Sequence, residues 1–373
     1  MNLEEPIEVP PVELKEKLRL SKETRTVVID VREPDEFNEW RLEGSTNVPL
    51  GVVESQSDAR DLSRDLRVVT VCRTGVRSLR AAQVLREQGI NARSLKGGLV
   101  AWSKTYDIAP LPSANIEGLR IVQIRRLGKG CISYVVAYLN ECIVIDPSVH
   151  TDQLLQRLSS ERLRISCVVD THCHADHLSG ARALARATGA SLFLNSLEKY
   201  CFNDFAELEE GKSIQLGDGR ISLRVIQTPG HTPGSVSLQV GNWLFSGDTL
   251  FLDGFARPDL HEMKEILVHD LYSTYQKKIL GLPRDTLILP GHVRVFPQAQ
   301  YGTPIMAPLT NLIAQLPLIQ ASEEIFSNYV LNHIPPKPPN YRAILRVNTG
   351  EDEYAPGLFD RLEEGPNRCV LAC

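Results

Sequence analysis

The sequence lacks most of the features that would place it among membrane, exported or nucleic-acid-binding proteins. It holds no stretch of about 18 uninterrupted apolar residues, so no transmembrane helix is expected. The most apolar region, residues 132–145, is broken by Asn140 and Glu141. Residues 1–20 are acidic and proline-bearing, without the basic and apolar regions of a secretory signal. Charge of one sign is not in excess: 41 Lys and Arg face 46 Asp and Glu, a net −5 over 373 residues. No basic footprint exists for a phosphate backbone, so nucleic acid is not an expected partner. There is no internal repeat and no low-complexity segment.

Eight cysteines are present. Without an export signal they are expected to be reduced thiols in a cytoplasmic compartment. Cys131, Cys142 and Cys167 lie in apolar, strand-like runs and read as small buried hydrophobes. Cys72 stands apart, because its neighbours are polar and cationic.

A chain of this length accommodates two or three domains. Its first part alternates short apolar runs (residues 26–31 and 67–71) with helical spacing, as in Leu79, Ala82 and Leu85 before Gly89. This predicts an α/β fold with a parallel sheet covered on both faces, that is, doubly wound. Residues 107–118, with Pro110, Pro112 and Ser113, read as a connection. The expected division is a first domain at 1–110, a linker at 111–118 and a second domain at 119–350. The second domain opens with strands and continues in βα units, which predicts two sheets with helices outside. Residues 351–373 are polar and weakly patterned, and a disordered tail is the expectation there. Two cysteines in that tail, Cys369 and Cys373, are candidates for carrying persulfide or for pairing reversibly.

Residues 71–78, Val-Cys-Arg-Thr-Gly-Val-Arg-Ser, lie between a strand and a helix start. A short loop there aims successive backbone N–H groups inward and adds the positive end of the helix dipole. With cysteine at its first position, the cradled anion can be the cysteine's own thiolate. Arg73 and Arg77 add positive charge. Such a thiolate can accept a sulfane sulfur and hold it as a persulfide. An ordinary strand–helix turn or a phosphatase-like cradle are the alternatives. The Cys-x-x-Gly-x-Arg-Ser loop resembles the active loop of single-domain rhodaneses. Residues 30–37, Asp-Val-Arg-Glu-Pro-Asp-Glu-Phe, resemble their first signature. Leu95-Lys96-Gly97-Gly98 with Trp102 resembles their last. Where that family carries Gly-His-Ile-Pro-Gly-Ala, this chain has Trp40-Arg41-Leu42-Glu43-Gly44-Ser45.

The second part holds a denser signal. Thr171-His172-Cys173-His174-Ala175-Asp176-His177 follows a strand and precedes a helix, placing several ligand types within six residues. His231 stands in a Gly/Pro turn, Asp248 follows a strand, and His292 ends another. Five of the nine histidines fall in these strand-end motifs, which structural histidines do not explain. Cys173, alternating with the histidines, is expected to point away from the metal. Together the motifs are similar to the metallo-β-lactamase superfamily, and within it to the glyoxalase II and persulfide dioxygenase branch. The resemblance implies an αβ/βα sandwich. It also leaves two ligand sets open, since every dinuclear ligand is present. The glyoxalase II pattern uses all seven positions for two Zn(2+). The dioxygenase pattern places one Fe(2+) on His172, His231 and Asp248. Three ligands on one face then leave positions open for a persulfide sulfur, oxygen and water. In that case His174, Asp176, His177 and His292 orient ligands or handle protons, with Asp176 and His177 as catalytic candidates.

The rhodanese part favours the iron reading, because sulfane sulfur becomes a currency shared by both domains. Residues 334–341, Ile-Pro-Pro-Lys-Pro-Pro-Asn-Tyr, resemble a proline-lysine-proline segment of the dioxygenases. Residues 254–259 match the dioxygenases' Gly-Arg-Thr-Asp-Phe only in part, and Val293-Arg294 replaces their Asp-Tyr. Arg257 and Asp259 are therefore either substrate contacts or partners of each other. The resemblance implies a persulfide dioxygenase with sulfur transfer through Cys72. Its small molecules would be persulfide, thiosulfate, sulfite, O2 and a low-molecular-weight thiol such as glutathione. No membrane partner is implied, and oligomerisation is left open. Two alternatives are a dinuclear zinc thioester hydrolase and a sulfur carrier or sensor with a structural metal.

Overall fold

The computed structural model describes residues 5–20, 25–55, 66–112, 116–261, 263–294, 300–353, 356–365 and 368–372. The first domain is a five-stranded, all-parallel sheet. Its order is Glu8–Val9, Asn91–Leu95, Arg67–Val71, Thr26–Asp30 and Thr46–Asn47. Alternation along the strands sorts side chains between two faces. Val28, Val69, Val71 and Leu95 pack with Leu14, Leu18, Leu99 and Trp102 on one face. Ile29, Val31, Val68 and Ala92 pack with Ala81, Ala82 and Leu85 on the other. The sheet is thus covered by helices on both sides, the doubly wound arrangement expected from the alternating pattern.

The second domain consists of a seven-stranded and a six-stranded sheet. Side chains from both form one core between them, among them Val136, Ile145, Val169, Leu223, Leu238 and Phe245. Helices Asp152–Ser160 and Ala181–Thr188 cover the outer face of the first sheet through Leu154, Leu158 and Leu184. Helices Lys264–Thr274 and Glu323–Asn332 cover the second through Val268, Leu271, Phe326 and Val330. This four-layer order is the αβ/βα sandwich. Among the described residues no helix is long and apolar enough to cross a membrane.

Two boundaries differ from the expectation. Tyr106–Pro110, assigned to the first domain, is the edge strand of the seven-stranded sheet, paired antiparallel with Leu119–Arg126. Its prolines suggested a connection. Pro110 is tolerated because the strand lies at the sheet's edge, where no further neighbour needs its missing N–H. The tail also departs from the expected disorder. Val370–Ala372 pairs antiparallel with Gly254–Ala256, and Cys369 is fully buried. Cys373 lies outside the described residues.

The tail is held by charge as well. The buried Glu363 accepts from Arg126 Nη2 at 2.6 Å, from the Leu178 N–H at 2.7 Å and from the His150 ring at 3.1 Å. Burial opposes its charge, yet Arg126 and His150 hold the carboxyl below the usual carboxylate range. Replacing Glu363 with Ala strands a buried guanidinium. The expected cost is about 3–5 kcal/mol, read as a lower denaturant midpoint.

The domains meet where the chain departs from the rhodanese pattern. Trp40 is buried and its Nε1 donates to Gly128 O at 2.7 Å, while Arg126 Nε donates to Ser103 O at 2.6 Å. Trp40 therefore serves the contact between the two domains.

Candidate functional site

The Cys72 loop joins strand Arg67–Val71 to helix Val76–Glu87. Gly75 makes the turn at φ +98°, a region that favours glycine. The sulfur of Cys72 accepts the Gly75 N–H at 3.2 Å and the Ser78 N–H at 3.4 Å, with Ser78 Oγ at 3.5 Å. This is the N–H cradle expected for an anionic sulfur. The two arginines are engaged. Arg77 forms a fork with Glu36 at 2.7 Å on both branches, and Arg73 pairs with Glu364 of the tail at 2.6 Å. A cavity of about 300 Å³ beside the loop is lined by Arg32, Glu36, Arg73, Arg361 and Glu364, among others.

The metal-type residues all sit at strand ends, where loops converge. His172 to His177 follow Arg164–Val169, His231 follows Ile221–Gln227, Asp248 follows Trp243–Gly247, and His292 follows Leu287–Pro290. Gly291 lies so close to the centre that a Cβ there would stand 2.6 Å from Asp248 Oδ1. His172, His231 and Asp248 form one buried group whose ligand atoms lie within 4.8 Å of one another. Asp248 Oδ2 is 3.8 Å from His172 Nε2 and 3.6 Å from His231 Nε2.

These three inward atoms have no hydrogen-bond partner among the described residues. Their outer atoms are all bonded: His172 Nδ1 to Thr171 Oγ1 at 3.0 Å, His231 Nδ1 to Arg257 O at 2.8 Å, and Asp248 Oδ1 to His292 Nδ1 at 2.6 Å. Buried polar atoms left unmatched cost about 1–3 kcal/mol each. A divalent cation fits the need, since two imidazole nitrogens and one carboxylate oxygen converge with their outer sides held. Burial keeps both His172 and His231 below the ordinary imidazole value, in the neutral form a ligand needs.

The other four positions are arranged differently. His292 bridges two carboxylates, with its Nε2 2.8 Å from Asp176 Oδ2. Burial opposes a charge on that ring, but Asp176 and Asp248 hold it well above its ordinary value. His177 Nδ1 bonds Asp176 Oδ1 at 3.0 Å, while its Nε2 has no partner among the described residues. His174 stays outside the His172 group and lies 3.4 and 3.7 Å from Asp146 and Asp170. Neither of its ring nitrogens has a hydrogen-bond partner among the described residues, and with Asp176 and His177 it forms a second buried metal-type group. Cys173 is buried but belongs to none of the metal-type groups. Arg257 and Asp259 pair at 2.7 and 3.1 Å, and Arg257 also bonds the carbonyls of Pro335, Pro336 and Arg368.

Several contributors escaped sequence reasoning. Asp146 accepts both the N–H and the hydroxyl of Thr171, at 2.7 and 2.9 Å, and so fixes the hydroxyl that holds His172. It closes the strand Glu141–Ile145, the same strand-end signal that marked Asp248. Glu198 accepts from Gly234 N at 3.0 Å and from the Thr232 hydroxyl, steadying the His231 turn. Burial pushes its carboxyl up to about 7 against those bonds. No local pattern marked Glu198. Cys131 joins His177 and His292, and Cys369 joins Asp176 and His292, in further buried groups.

Comparison with known proteins agrees with this architecture. Residues 128–292 match the metallo-beta-lactamase superfamily and residues 11–105 the rhodanese-like domain. "Persulfide dioxygenase ETHE1, mitochondrial" of Bos taurus is 35% identical over 155 residues, 41% of this chain and 59% of that protein. The match thus spans under two thirds of the relative's own length. "Hydroxyacylglutathione hydrolase" of Blochmanniella pennsylvanica is 28% identical over 188 residues, 50% of this chain and 71% of that one. Among solved structures, ETHE1 from Myxococcus xanthus is similar at TM-score 0.55 and 25% identity, covering 62% of this chain and 98% of that chain. A metallo-beta-lactamase from Staphylococcus aureus aligns at TM-score 0.58 and 25% identity, over 64% and 75%. The chain is a rhodanese-like domain fused to a domain of the metallo-β-lactamase superfamily.

Proposed function

We propose that the second domain is a persulfide dioxygenase and that the first supplies or handles its sulfur through a Cys72 persulfide. The reaction is R-SSH + O2 + H2O giving R-SH, sulfite and two protons, at one Fe(2+) held by His172, His231 and Asp248. The observation that carries this reading is the two-imidazole, one-carboxylate set of His172, His231 and Asp248, whose inward atoms are unmatched while His292 is taken up by Asp176 and Asp248. His174 and His177 also keep unmatched ring nitrogens, in a second group with Asp176. The likeness to proteins named persulfide dioxygenase supports the same branch. When bound, a ferrous ion with three protein ligands on one face supplies open coordination positions and redox chemistry.

The chain's own groups do the rest. Thr171 and the Arg257 carbonyl fix the two rings, so that Nε2 of each lies near Asp248 Oδ2, where the ion would be held. His292 steadies Asp248 and holds a proton between it and Asp176. At the other site, the Gly75 and Ser78 N–H groups stabilise negative charge on the Cys72 sulfur. The metal-binding fold excludes bulk water, since His172, His231 and Asp248 are all at most 2% exposed.

A dinuclear zinc thioester hydrolase is the second reading, favoured by the presence of all seven positions. His292→Ala separates the two. Under the iron reading the variant keeps most of its metal and loses about 10- to 100-fold in turnover. Full loss of metal, read by elemental analysis, would make His292 a ligand and revive the dinuclear reading.

A further inference from the structure

The C-terminal segment touches both sites. Glu364 pairs with Arg73, the residue after Cys72, at 2.6 Å and lines the cavity beside that loop together with Gly365. Glu363 beside it is anchored to the N–H of Leu178, the residue after His177. Five residues after Glu364, the sulfur of Cys369 lies within 4.8 Å of ligand atoms of Asp176 and His292. His177 Nε2, buried and without a partner among the described residues, opens on the adjoining group that also contains His292.

The backbone around Cys369 is held by the metal site's own scaffold. The Arg257 N–H donates to Cys369 O at 3.3 Å and Arg257 Nη1 to Arg368 O at 2.9 Å, while Arg257 O receives His231. A thiol is thus presented to the metal centre on a segment whose other end is tied to the sulfur-transfer loop.

We propose that Cys369 is the acceptor that carries sulfane sulfur from Cys72 to the metal centre, so that the thiol carrier is part of the chain. In the transfer step the Cys369 thiolate attacks the outer sulfur of the Cys72 persulfide. The S–S bond at Cys72 breaks, its electron pair stays on the Cys72 sulfur, and a new S–S bond forms at Cys369. The sum is Cys72-S-SH + Cys369-SH giving Cys72-SH + Cys369-S-SH, with no oxidant consumed. At the metal centre, Cys369-S-SH + O2 + H2O gives Cys369-SH, sulfite and two protons; the S–S bond breaks, the outer sulfur is oxidised to sulfite, the Cys369 sulfur returns to a thiol and O2 takes up the remaining electrons. Only this second step rests on the dioxygenase reading.

The geometry permits the movement. Five residues span at most about 18 Å when extended, so Glu364 can stay at the loop while Cys369 moves between sites. Gly365, at φ +100° with open space around it, lies between them. The strand to be released, Val370–Ala372, is three residues long and pairs with a single neighbour. Its release also takes Val370 and Leu371 out of the core they share with Phe255 and Phe326, a local opening rather than global unfolding.

The test uses the full-length protein under argon with thiosulfate labelled in its outer sulfur. Thiols are then alkylated, and mass spectrometry with fragmentation places the label. The parent should carry one labelled sulfur on Cys369, and Cys72→Ser should carry none there. Admitting air should then release labelled sulfite from the parent and none from Cys369→Ser. Label confined to Cys72, label on Cys373 instead, or Cys369 labelled equally in Cys72→Ser would each overturn the proposal. Label on Cys369 without sulfite in air would sink the dioxygenase reading while leaving the transfer step standing.

Discussion

Alanine at His231 is expected to empty the metal site and reduce oxygen uptake with a persulfide to background. His231 is fully buried, its Nε2 has no other partner among the described residues, and its Nδ1 is fixed by the Arg257 carbonyl. Removing it leaves one imidazole and one carboxylate, too few to hold a ferrous ion on one face. His172→Ala and Asp248→Ala should behave alike. Elemental analysis after anaerobic purification checks this, and circular dichroism shows whether the sandwich survives. The core between the sheets contains none of the three ligands, so the fold should persist. An alanine variant that kept its full iron would remove that residue from the proposed triad.

Cys72→Ser should abolish sulfur transfer from thiosulfate to any thiol acceptor. A serine hydroxyl is far less acidic than a thiol and forms no persulfide. The cradle itself should survive, because Gly75 and Ser78 donate from a backbone set by the strand, the helix and the turn at Gly75. The proposed metal ligands His172, His231 and Asp248 all belong to the second domain. The variant should therefore still consume oxygen when given a preformed persulfide, at close to the parent rate. With thiosulfate and a thiol as the only sulfur source, uptake should vanish. Uptake that persisted under those conditions would place the rhodanese-like domain downstream, acting on sulfite, or show it to act independently.

The parts that were legible in the sequence share one property: their signal is local. The Cys72 loop needs eight consecutive residues, and the glycine and serine that cradle the sulfur lie within them. The His172–His177 run, the His231 turn, Asp248 and His292 are each marked by a strand ending in a turn. The layer order followed from alternating apolar runs. What was not legible depends on distant pairing. Glu198 reads as an ordinary surface glutamate until Thr232 and Gly234 fold onto it. The tail carries little apolar periodicity, because distant partners hold its described residues: Glu363 on Arg126, Glu364 on Arg73, the Arg368 and Cys369 carbonyls on Arg257, and Val370–Ala372 on Gly254–Ala256. Tyr106–Pro110 misled for a related reason. Two domains succeed each other there without a spacer, and its prolines pointed to a linker. Seven adjacent ligand positions likewise state the elements of a metal site without its stoichiometry. In three dimensions the unmatched atoms fall in two neighbouring groups, His172, His231 and Asp248 in one and His174 and His177 with Asp176 in the other.

Metal content and activity measured together on anaerobically purified protein distinguish one iron from two zincs. One iron per chain is expected, with oxygen consumption and stoichiometric sulfite when a persulfide is supplied. Two zinc ions per chain, with hydrolysis of an acylglutathione thioester and no oxygen uptake, would contradict the dioxygenase reading.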